Sequence, residues 1–356
     1  MVKRSWTSIW AKGVASGLKV MRKAAVVAQK TARTVARKRA TGQMPKPALR
    51  KPVTTRTTAV GRGSGKGKQS AGHWTSGVAL GPAGARRYKL YRPPGLHPGE
   101  RVPMIVMLHG CGQDADKFAA STGMNKVAAR ERFLVLYPEQ DRLANPQRCW
   151  NWFDTKAGRA FGEAALVMAT VEQVCQLHPV DRQRVAVAGM SAGASMAALL
   201  VTRYPERFKA LVMHSGIAPG TAHSTLTALH AMRGRRSTAP MPATPATMSA
   251  AWPPLLVIHG MVDTVVDLRN GRACAQVWAG AAGAVATAQR SVQRGRRYAM
   301  AVTDFKRKGS TAATLAEIKG LGHAWSGGAA KEPFSDAKGP DASRMVWAFA
   351  AKQFRK

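Results

Sequence analysis

The amino-acid sequence predicts an α/β fold, with a mostly parallel central sheet covered by helices on both faces, preceded by a basic N-terminal extension. The first observation behind this prediction is an alternation of short apolar runs, typical of buried strands, with longer stretches of helical periodicity. The runs are 102–108, 133–137, 184–188, 210–214, 255–258 and 315–319, and the helical stretches are 115–132, 162–177, 269–282 and 342–354. The second observation is a formal net charge of +37, with no acidic residue before Glu100.

Residues 189–193 carry the strongest functional signal. They have the sequence Gly-Met-Ser-Ala-Gly, follow the β-branched run 184–188 and precede a helical stretch at 195–204. A strand, G-x-S-x-G and a helix in this order form a nucleophile elbow, which holds the serine in a strained turn above the sheet. Glycine is expected at both ends of this pentapeptide because so sharp a turn leaves no room for a Cβ. The alternative is a glycine-rich turn with an ordinary serine; the flanking elements favour the elbow, with Ser191 as nucleophile.

An acid is expected further along the chain, because α/β-hydrolases order their catalytic residues as Ser, then Asp or Glu, then His. Asp263 lies just beyond the buried run 253–260. This is the carboxyl end of a strand, where the functional groups of such sheets collect. Asp267 lies further into the same loop, and Asp304 lies in a segment (289–314) that the sequence does not assign. Both therefore rank behind Asp263.

The histidine is expected at His323. It follows the strand predicted at 315–319 and lies in the glycine-rich loop 320–328, which can bend back over the serine. His259 and His214 stand at strand ends, where a packed or hydrogen-bonded imidazole is expected instead. In this arrangement Ser191 attacks an acyl carbonyl, His323 takes and returns the proton, and Asp263 orients the imidazole.

Charge that develops on the carbonyl oxygen needs backbone donors. One is predicted at the N–H of Ala192, directly after the nucleophile, and the second in the loop after an earlier strand. The apolar run 103–108 leads into His-Gly-Cys-Gly, so the Cys111 N–H is the predicted second donor. His109 is expected to hydrogen-bond this loop and to take no chemical role.

Five segments in this order resemble the polyhydroxybutyrate depolymerase family of esterases, which is similar in fold to feruloyl and acetylxylan esterases. The segments are 109–113 (HGCGQ), 149–153 (CWNWF), 189–193 (GMSAG), 259–263 (HGMVD) and 322–328 (GHAWSGG). The resemblance runs from about residue 87 to the C-terminus. It implies an α/β-hydrolase fold and hydrolysis of carboxylic esters by Ser191, Asp263 and His323, without a cofactor or metal. One departure is Met261, where many relatives carry another acid.

The cysteines leave two states open. Cys111 and Cys149 both follow strands inside segments of this resemblance, so a disulfide between the two loops is one state, and reduced thiols in a cytosolic protein are the other. Cys175 and Cys274 are expected to be small buried helix residues. The four cysteines show no C-x-x-C pair and no metal-like spacing, which argues against zinc and redox motifs.

Aromatic residues in the loops around the predicted site are candidates for substrate contacts. Trp325, two residues from His323, is predicted to contact an acyl chain. For Trp150 and Trp152, lining of an apolar cleft and packing in the core stay open as alternatives. Residues 217–251 lose all periodicity and are predicted to form a lid or insertion over the site, whose Arg233–Arg236 cluster meets either an anionic product or water.

The N-terminal part divides into a basic amphipathic helical arm at 1–40 and a flexible Pro/Gly/Lys-rich linker at 41–80, with the catalytic domain at 81–356. The arm is predicted to bind an anionic granule or membrane surface. Non-specific contact with nucleic-acid phosphates, a transit peptide and a solvated tail are the alternatives, and specific nucleic-acid recognition is not expected. No secretory signal pattern or membrane-spanning run is found, so a cytoplasmic or granule-associated location is expected, although many members of the resembled family are secreted.

These observations predict a serine esterase that cleaves short hydroxyacid esters, of the 3-hydroxybutyrate kind, through an acyl-enzyme. A serine peptidase would share the three catalytic residues, and a feruloyl or acetylxylan esterase would differ in acyl specificity. A protein of another class, which binds granules or nucleic acid through the arm and carries a degenerate hydrolase domain, would lack turnover.

Overall fold

A computed structural model describes residues 72–238 and 251–356. Within these residues, eleven strands form one sheet and two short strands form another. The strands are β1 (His73–Gly81), β2 (Gly84–Arg92), β3 (Val102–Leu108), β4 (Leu134–Pro138), β5 (Val180–Met190), β6 (Leu211–His214), β7 (Leu255–Gly260), β8 (Val285–Ala286), β9 (Arg290–Val292), β10 (Met300–Arg307), β11 (Ser310–Ile318), β12 (Trp325–Ser326) and β13 (Ser335–Asp336).

The helices of the described residues cover both faces of the large sheet, as the sequence predicts. The helices are α1 (Ala115–Thr122), α2 (Met124–Glu131), α3 (Arg159–Leu177), α4 (Ala192–Arg203), α5 (Thr225–Met232), α6 (Leu268–Ala282) and α7 (Ala342–Phe354), with a 3-10 turn at Pro205–Arg207. Apolar residues of α3, α4 and α6 bury one face of the sheet. Those of α1, α2 and α7 bury the other face in a second core.

The order of the strands places the loops that matter for function on one edge. Strands β4, β3, β5, β6, β7 and β11 lie side by side in parallel, whereas the β1–β2 hairpin and the strands beyond β11 run antiparallel. The carboxyl ends of the parallel strands therefore meet at the same edge of the sheet, where ligands and catalytic groups collect in such folds.

Three local features differ from the predictions. The linker prediction is wrong at its C-terminal end, because residues 73–81 form β1, pair along their whole length with β2 and bury Ala79. The stretch 115–132 forms two helices, separated by Gly123 in the left-handed region at φ 64°. The unassigned segment 289–314 contributes β9, β10 and the first half of β11 to the antiparallel side of the sheet.

Some predictions fall partly or wholly outside the described residues. These are the arm at 1–40, most of the linker at 41–80, and residues 239–250 of the predicted lid. In the described part of that lid, α5 begins with a capping box in which Ser224 and Thr227 satisfy each other's backbone N–H groups. Among the helices described, none is both long enough and apolar enough to cross a membrane.

The two cysteines outside the glycine-rich loops lie in helices, as predicted. Cys175 in α3 and Cys274 in α6 are buried and unpaired. Burial raises the pKa of the Cys175 thiol to about 11 and also raises that of Cys274. Because the thiolate is the nucleophilic form, both side chains are inert in the folded chain.

Candidate active site

Ser191 lies in a sharp turn between β5 and α4, with backbone angles of φ 56° and ψ −122°. A non-glycine residue rarely adopts this conformation, so the turn is strained. A Cβ at Gly193 would collide with the backbone carbonyl oxygens of Leu108 and His109, and one at Gly189 with that of Gly193. The two glycines are therefore required because the turn packs against its own start and against the end of β3. This is the geometry of a nucleophile elbow.

Ser191, His323 and Asp263 form one hydrogen-bonded chain. His323 Nε2 lies 3.0 Å from Ser191 Oγ, and His323 Nδ1 lies 2.8 Å from Asp263 Oδ2. The three residues come from the loops after β5, β11 and β7, far apart in sequence but adjacent at the carboxyl edge of the sheet. The Asp263 side chain is fully buried, while the imidazole of His323 keeps 11% of its surface exposed.

The surroundings of Asp263 keep its carboxylate ionised. Oδ1 accepts hydrogen bonds from the N–H groups of Val265 and Val266, each at 2.9 Å. Burial by itself raises the pKa of this carboxyl, but the hydrogen bond to His323, the nearby imidazoles and the Val266 N–H outweigh it and hold the pKa below its ordinary value. An ionised carboxylate here can orient the imidazole and stabilise an imidazolium.

The two competing aspartates have other partners. Asp267 caps the N-terminus of α6, where its side chain accepts a hydrogen bond from the Arg269 N–H at 2.9 Å. Asp304 pairs with Arg290 at 2.6 Å and accepts a hydrogen bond from Thr314. Both carboxylates are thus held in structural contacts on or beyond the loop that carries Asp263.

The loop after β3 lies directly beside the elbow, since a Cβ on Gly110 would stand 3.7 Å from Ser191 Cβ. Neither Cys111 N–H nor Ala192 N–H donates a hydrogen bond to another group among the residues described. Both predicted oxyanion donors are therefore unengaged next to the nucleophile, as a preorganised oxyanion hole requires.

His109 fixes the direction of one of these donors. The Gln140 N–H donates to His109 Nε2 at 3.1 Å, so the ring proton lies on Nδ1, which donates to the Gly110 carbonyl at 2.8 Å. The Gly110 carbonyl and the Cys111 N–H belong to one planar trans peptide, and they point in opposite directions. Burial lowers the pKa of His109 to about 4, so the ring stays neutral in this role.

A disulfide joins Cys111 to Cys149 and ties the oxyanion loop to the tryptophan-rich loop after β4. A buried carboxylate also holds this second loop in place. Glu163 of α3 accepts hydrogen bonds from the Asn151 N–H at 2.9 Å, the Asn151 Nδ2 at 2.6 Å and the Gln140 Nε2 at 2.7 Å. Glu163 and Gln140 are not predicted from the sequence, because nothing in the local sequence links a residue on a helix to the loop that precedes it.

The structure contradicts the predicted substrate contact of Trp325, which is fully buried. Its ring stacks on His214 at 5.1 Å, meets Phe118 edge-on at 5.5 Å, and donates its Nε1–H to Ser343 Oγ at 3.1 Å. Lining of a cleft by Trp150 and Trp152 is wrong as well. Trp150 is fully buried and donates to the His109 carbonyl at 3.0 Å, and Trp152 is 7% exposed. Trp150 and Trp325 anchor their loops, because each indole N–H reaches an acceptor inside the core, the His109 carbonyl and Ser343 Oγ respectively.

Exposed apolar side chains do stand next to the acid. Met261 is 41% exposed and Val262 is 56% exposed, immediately before Asp263. Met261 also occupies the position where the sequence departs from the resembled family. The described residues contain no group of three or more His, Cys, Asp or Glu side chains that could hold a metal ion.

A parallel sheet with a strained serine after β5, and a carboxylate and an imidazole after β7 and β11, defines the class of α/β-hydrolases. The solved structure of an acetyl xylan esterase from Aspergillus awamori shares this fold, with a TM-score of 0.54 and 19% identity over 71% of this chain and 94% of that one.

Residues 86–315 match the family model described as Esterase PHB depolymerase, so the chain belongs to this family of esterases. A poly(3-hydroxyalkanoate) depolymerase C from Paucimonas lemoignei is 37% identical over 108 residues, which are 30% of this chain and 26% of that protein. A feruloyl esterase B from Thermothelomyces thermophilus is 32% identical over 122 residues, which are 34% of this chain and 41% of that protein. The chain thus spans well under half the length of these curated relatives.

Proposed function

We propose that this chain is a serine carboxylic-ester hydrolase that cleaves short hydroxyacid esters, of the 3-hydroxybutyrate kind, through an acyl-enzyme. The observation that carries the proposal is the hydrogen-bonded chain from Ser191 through His323 to the buried Asp263. Membership of the esterase family and the similarity to a poly(3-hydroxyalkanoate) depolymerase support the reaction class and the substrate class.

The chemistry follows from the three side chains. Ser191 Oγ attacks the ester carbonyl carbon while His323 Nε2 takes its proton, and the carbonyl oxygen becomes an oxyanion held by the N–H groups of Cys111 and Ala192. The bond to the leaving alcohol then breaks as His323 returns the proton to the alcohol oxygen. Water repeats the two steps on the acyl-enzyme, which releases the acid and restores Ser191. Asp263 stays ionised and stabilises the imidazolium in both halves.

Feruloyl or acetylxylan esterase activity is the second candidate. The fold match to an acetyl xylan esterase and the local identity to a feruloyl esterase favour it, and both enzymes' names specify esters of other acids. Catalysis by the same three residues would be unchanged, so only the acyl preference separates the candidates. The attraction of residues 1–40 to an anionic granule or membrane surface stays a prediction.

The test is hydrolysis of a nitrophenyl ester series from acetate to laurate, followed by hydroxybutyrate oligomers, a feruloyl ester, acetylated xylan and a matched amide. Ser191→Ala should lower kcat by roughly a million-fold, as in other serine-triad enzymes. Ser76→Ala, the same change at an exposed position of β1, is the control and should leave kcat unaltered. Activity retained by Ser191→Ala, or no serine-dependent turnover of any ester, would refute the proposal. A preference for feruloyl or acetyl esters would select the second candidate.

A further inference from the structure

His259 is a fully buried imidazole that lies beside Asp263, in addition to the imidazole of His323. It stands near the end of β7, with Nε2 2.8 Å from the Val266 carbonyl oxygen and 3.6 Å from Asp263 Oδ2. Asp263 Oδ2 therefore has two imidazole neighbours, and the reaction described above does not use one of them, His259.

The hydrogen bonds fix the chemical form of His259. A carbonyl oxygen can only accept, so the ring proton lies on Nε2, and Nδ1 is an acceptor that has no partner among the residues described. A protonated ring would bury a second N–H with nothing to receive it. Burial lowers the pKa of this imidazole, which favours the neutral ring. His259 is thus suited to holding a position and unsuited to carrying a proton.

His259 holds the backbone turn from Asp263 to Val266 in place. Asp263 Oδ1 binds the N–H groups of Val265 and Val266, and His259 binds the carbonyl of Val266. Asp263 and His259 thus both bind the backbone of Val266, through its N–H and its carbonyl oxygen respectively. With Oδ1 fixed in this way, Oδ2 faces His323 Nδ1 at 2.8 Å.

Helix α6 provides the surface on which the ring rests. A Cβ added to Gly271 would stand 2.7 Å from His259 Nδ1 and 3.0 Å from its Cγ, closer than a real Cβ approaches a neighbour. The absence of a side chain at Gly271 therefore allows the ring to lie against the helix backbone. Gly280 is on the same helix, and a Cβ there would meet nothing within 4 Å.

We propose that His259 is a positioning residue of the esterase reaction, which rests against Gly271 and holds the Asp263 carboxylate in register with His323. The inference rests on the function proposed above. The titratable and charged groups around this imidazole are Asp263 and Asp267 in the same loop, His323, His214, and the Glu317–Arg272 ion pair of β11 and α6.

The sharpest test pairs Gly271→Ala with Gly280→Ala. Gly271→Ala alters no group that touches substrate, yet it pushes the ring away from α6. We expect kcat on a soluble nitrophenyl ester to fall by roughly ten- to a hundredfold at nearly constant KM, because a displacement of about 1 Å at a catalytic group is that costly. Gly280→Ala should match the wild-type chain. Equal kcat values for the two variants, with both folded, would overturn the proposal.

Replacement of the ring separates positioning from packing. His259→Leu removes the N–H, whereas His259→Gln restores an N–H at about the reach of Nε2. The proposal expects Gln to recover most of the kcat that Leu loses, and the acid limb of the kcat/KM profile to move to lower pH in the Leu variant, because the protonated base loses part of its carboxylate contact. If both variants lose the same amount of kcat and the acid limb of the kcat/KM profile does not move, His259 is a packing residue and the proposal is wrong.

A readout independent of turnover distinguishes failure of this inference from failure of the proposed function. The proton resonance of the His323 Nδ1–H reports its hydrogen bond to Asp263 in the resting protein. We expect this resonance to be present in the wild-type and Gly280→Ala chains and to shift or broaden in the Gly271→Ala and His259→Leu chains, whether or not esters are cleaved. An unchanged resonance in all four would refute the positioning role, while the Ser191→Ala result alone decides the function.

Discussion

On each side of Ser191 a buried tryptophan packs against a buried histidine, but the loops on the two sides are held in place differently. On the oxyanion side, Trp150 packs against neutral His109, with ring centroids 5.4 Å apart, in the core beneath one face of the sheet. On the base side, Trp325 stacks on His214 at 5.1 Å in the core of the opposite face. On the oxyanion side a disulfide ties the loop after β3 to the loop after β4, and the buried carboxylate of Glu163 holds that second loop. The base loop adds neutral hydrogen bonds, such as that of the Ser326 N–H to His214 Nε2 at 3.1 Å.

The difference follows from the chemical group that each loop presents. In the proposed mechanism the loop after β3 contributes a backbone N–H, which has no rotatable bond of its own, so its direction is set by fixing the main chain. The base loop presents the side chain of His323, which is oriented directly by its hydrogen bonds to Ser191 and Asp263. Packing of Trp325 is then sufficient to bring the loop close enough for His323 to reach Ser191 and Asp263.

Trp325→Ala should show the largest effect, because it removes the buried ring that packs the base loop into the core. Truncation of a fully buried tryptophan typically costs about 3 to 5 kcal/mol of unfolding free energy. Denaturant unfolding should detect this loss, and kcat should fall with it as His323 loses its support. Trp325→Phe keeps the aromatic packing on His214 and Phe118 and loses only the hydrogen bond to Ser343, so it should cost much less. Equal stability of Trp325→Ala and the wild-type chain would show that the loop is anchored elsewhere.

Cys149→Ala should show the next largest effect, because it opens a covalent loop with a sequence separation of 38 residues. A native crosslink typically contributes about 2 to 4 kcal/mol of unfolding free energy. We also expect kcat to fall, since the Cys111 N–H then loses its covalent tie and is positioned only by hydrogen bonds of its loop, such as that of His109 to the Gly110 carbonyl. Cys175→Ala, at a buried unpaired cysteine, is the matched control. A dithiol reductant should reproduce the Cys149→Ala result in the wild-type chain, and a wild-type stability that is indifferent to reductant would contradict the assigned bridge.

Low pH should lower the free energy of unfolding through both buried histidines, His109 and His214. The loss for each ring should be smaller than the losses expected for Trp325→Ala and Cys149→Ala. Burial holds the pKa of His109 at about 4 and that of His214 at about 3, whereas an unfolded histidine titrates near 6.5. Between these values the unfolded chain binds more protons, so stability falls as the pH falls below about 6.5. From pH 7 to pH 5 the loss is about 2 kcal/mol for each ring. Thermal unfolding across this range should show it, and His214→Gln should flatten the dependence; a slope equal to that of the wild-type chain would contradict the assignment.

The sequence analysis succeeded where local geometry imposes residue types. Gly189 and Gly193 are recognisable because no Cβ fits in the elbow, and the strands before Asp263 and His323 place both residues at one edge of the sheet. It failed where tertiary contacts decide. Trp325 looked like a substrate contact because it lies two residues from His323, but the direction of its ring is set by His214 and Phe118, which are distant in sequence.

Strand β1 and the acceptor Glu163 show the same limit. Residues 73–81 adjoin the Pro/Gly/Lys-rich stretch and contain Ser76 and Gly77, and their pairing with β2 makes them a strand. Glu163 lies within a helix whose sequence gives no sign that its carboxylate binds the loop at 140–151. The strand pairing of β1 and the hydrogen bonds of Glu163 both depend on other segments of the chain, so neither is evident from the sequence of its own segment.

The burial of both unpaired thiols has a practical consequence for spectroscopy. Cys111 and Cys149 are consumed by their bridge, and Cys175 and Cys274 are buried with raised pKa values, so the native chain offers no reactive thiol. A cysteine introduced at Leu143, which is 95% exposed in the loop after β4, would then be the single target for a maleimide dye. A fluorophore at that position would report motion of the disulfide-tied loop during turnover without removal of any native cysteine.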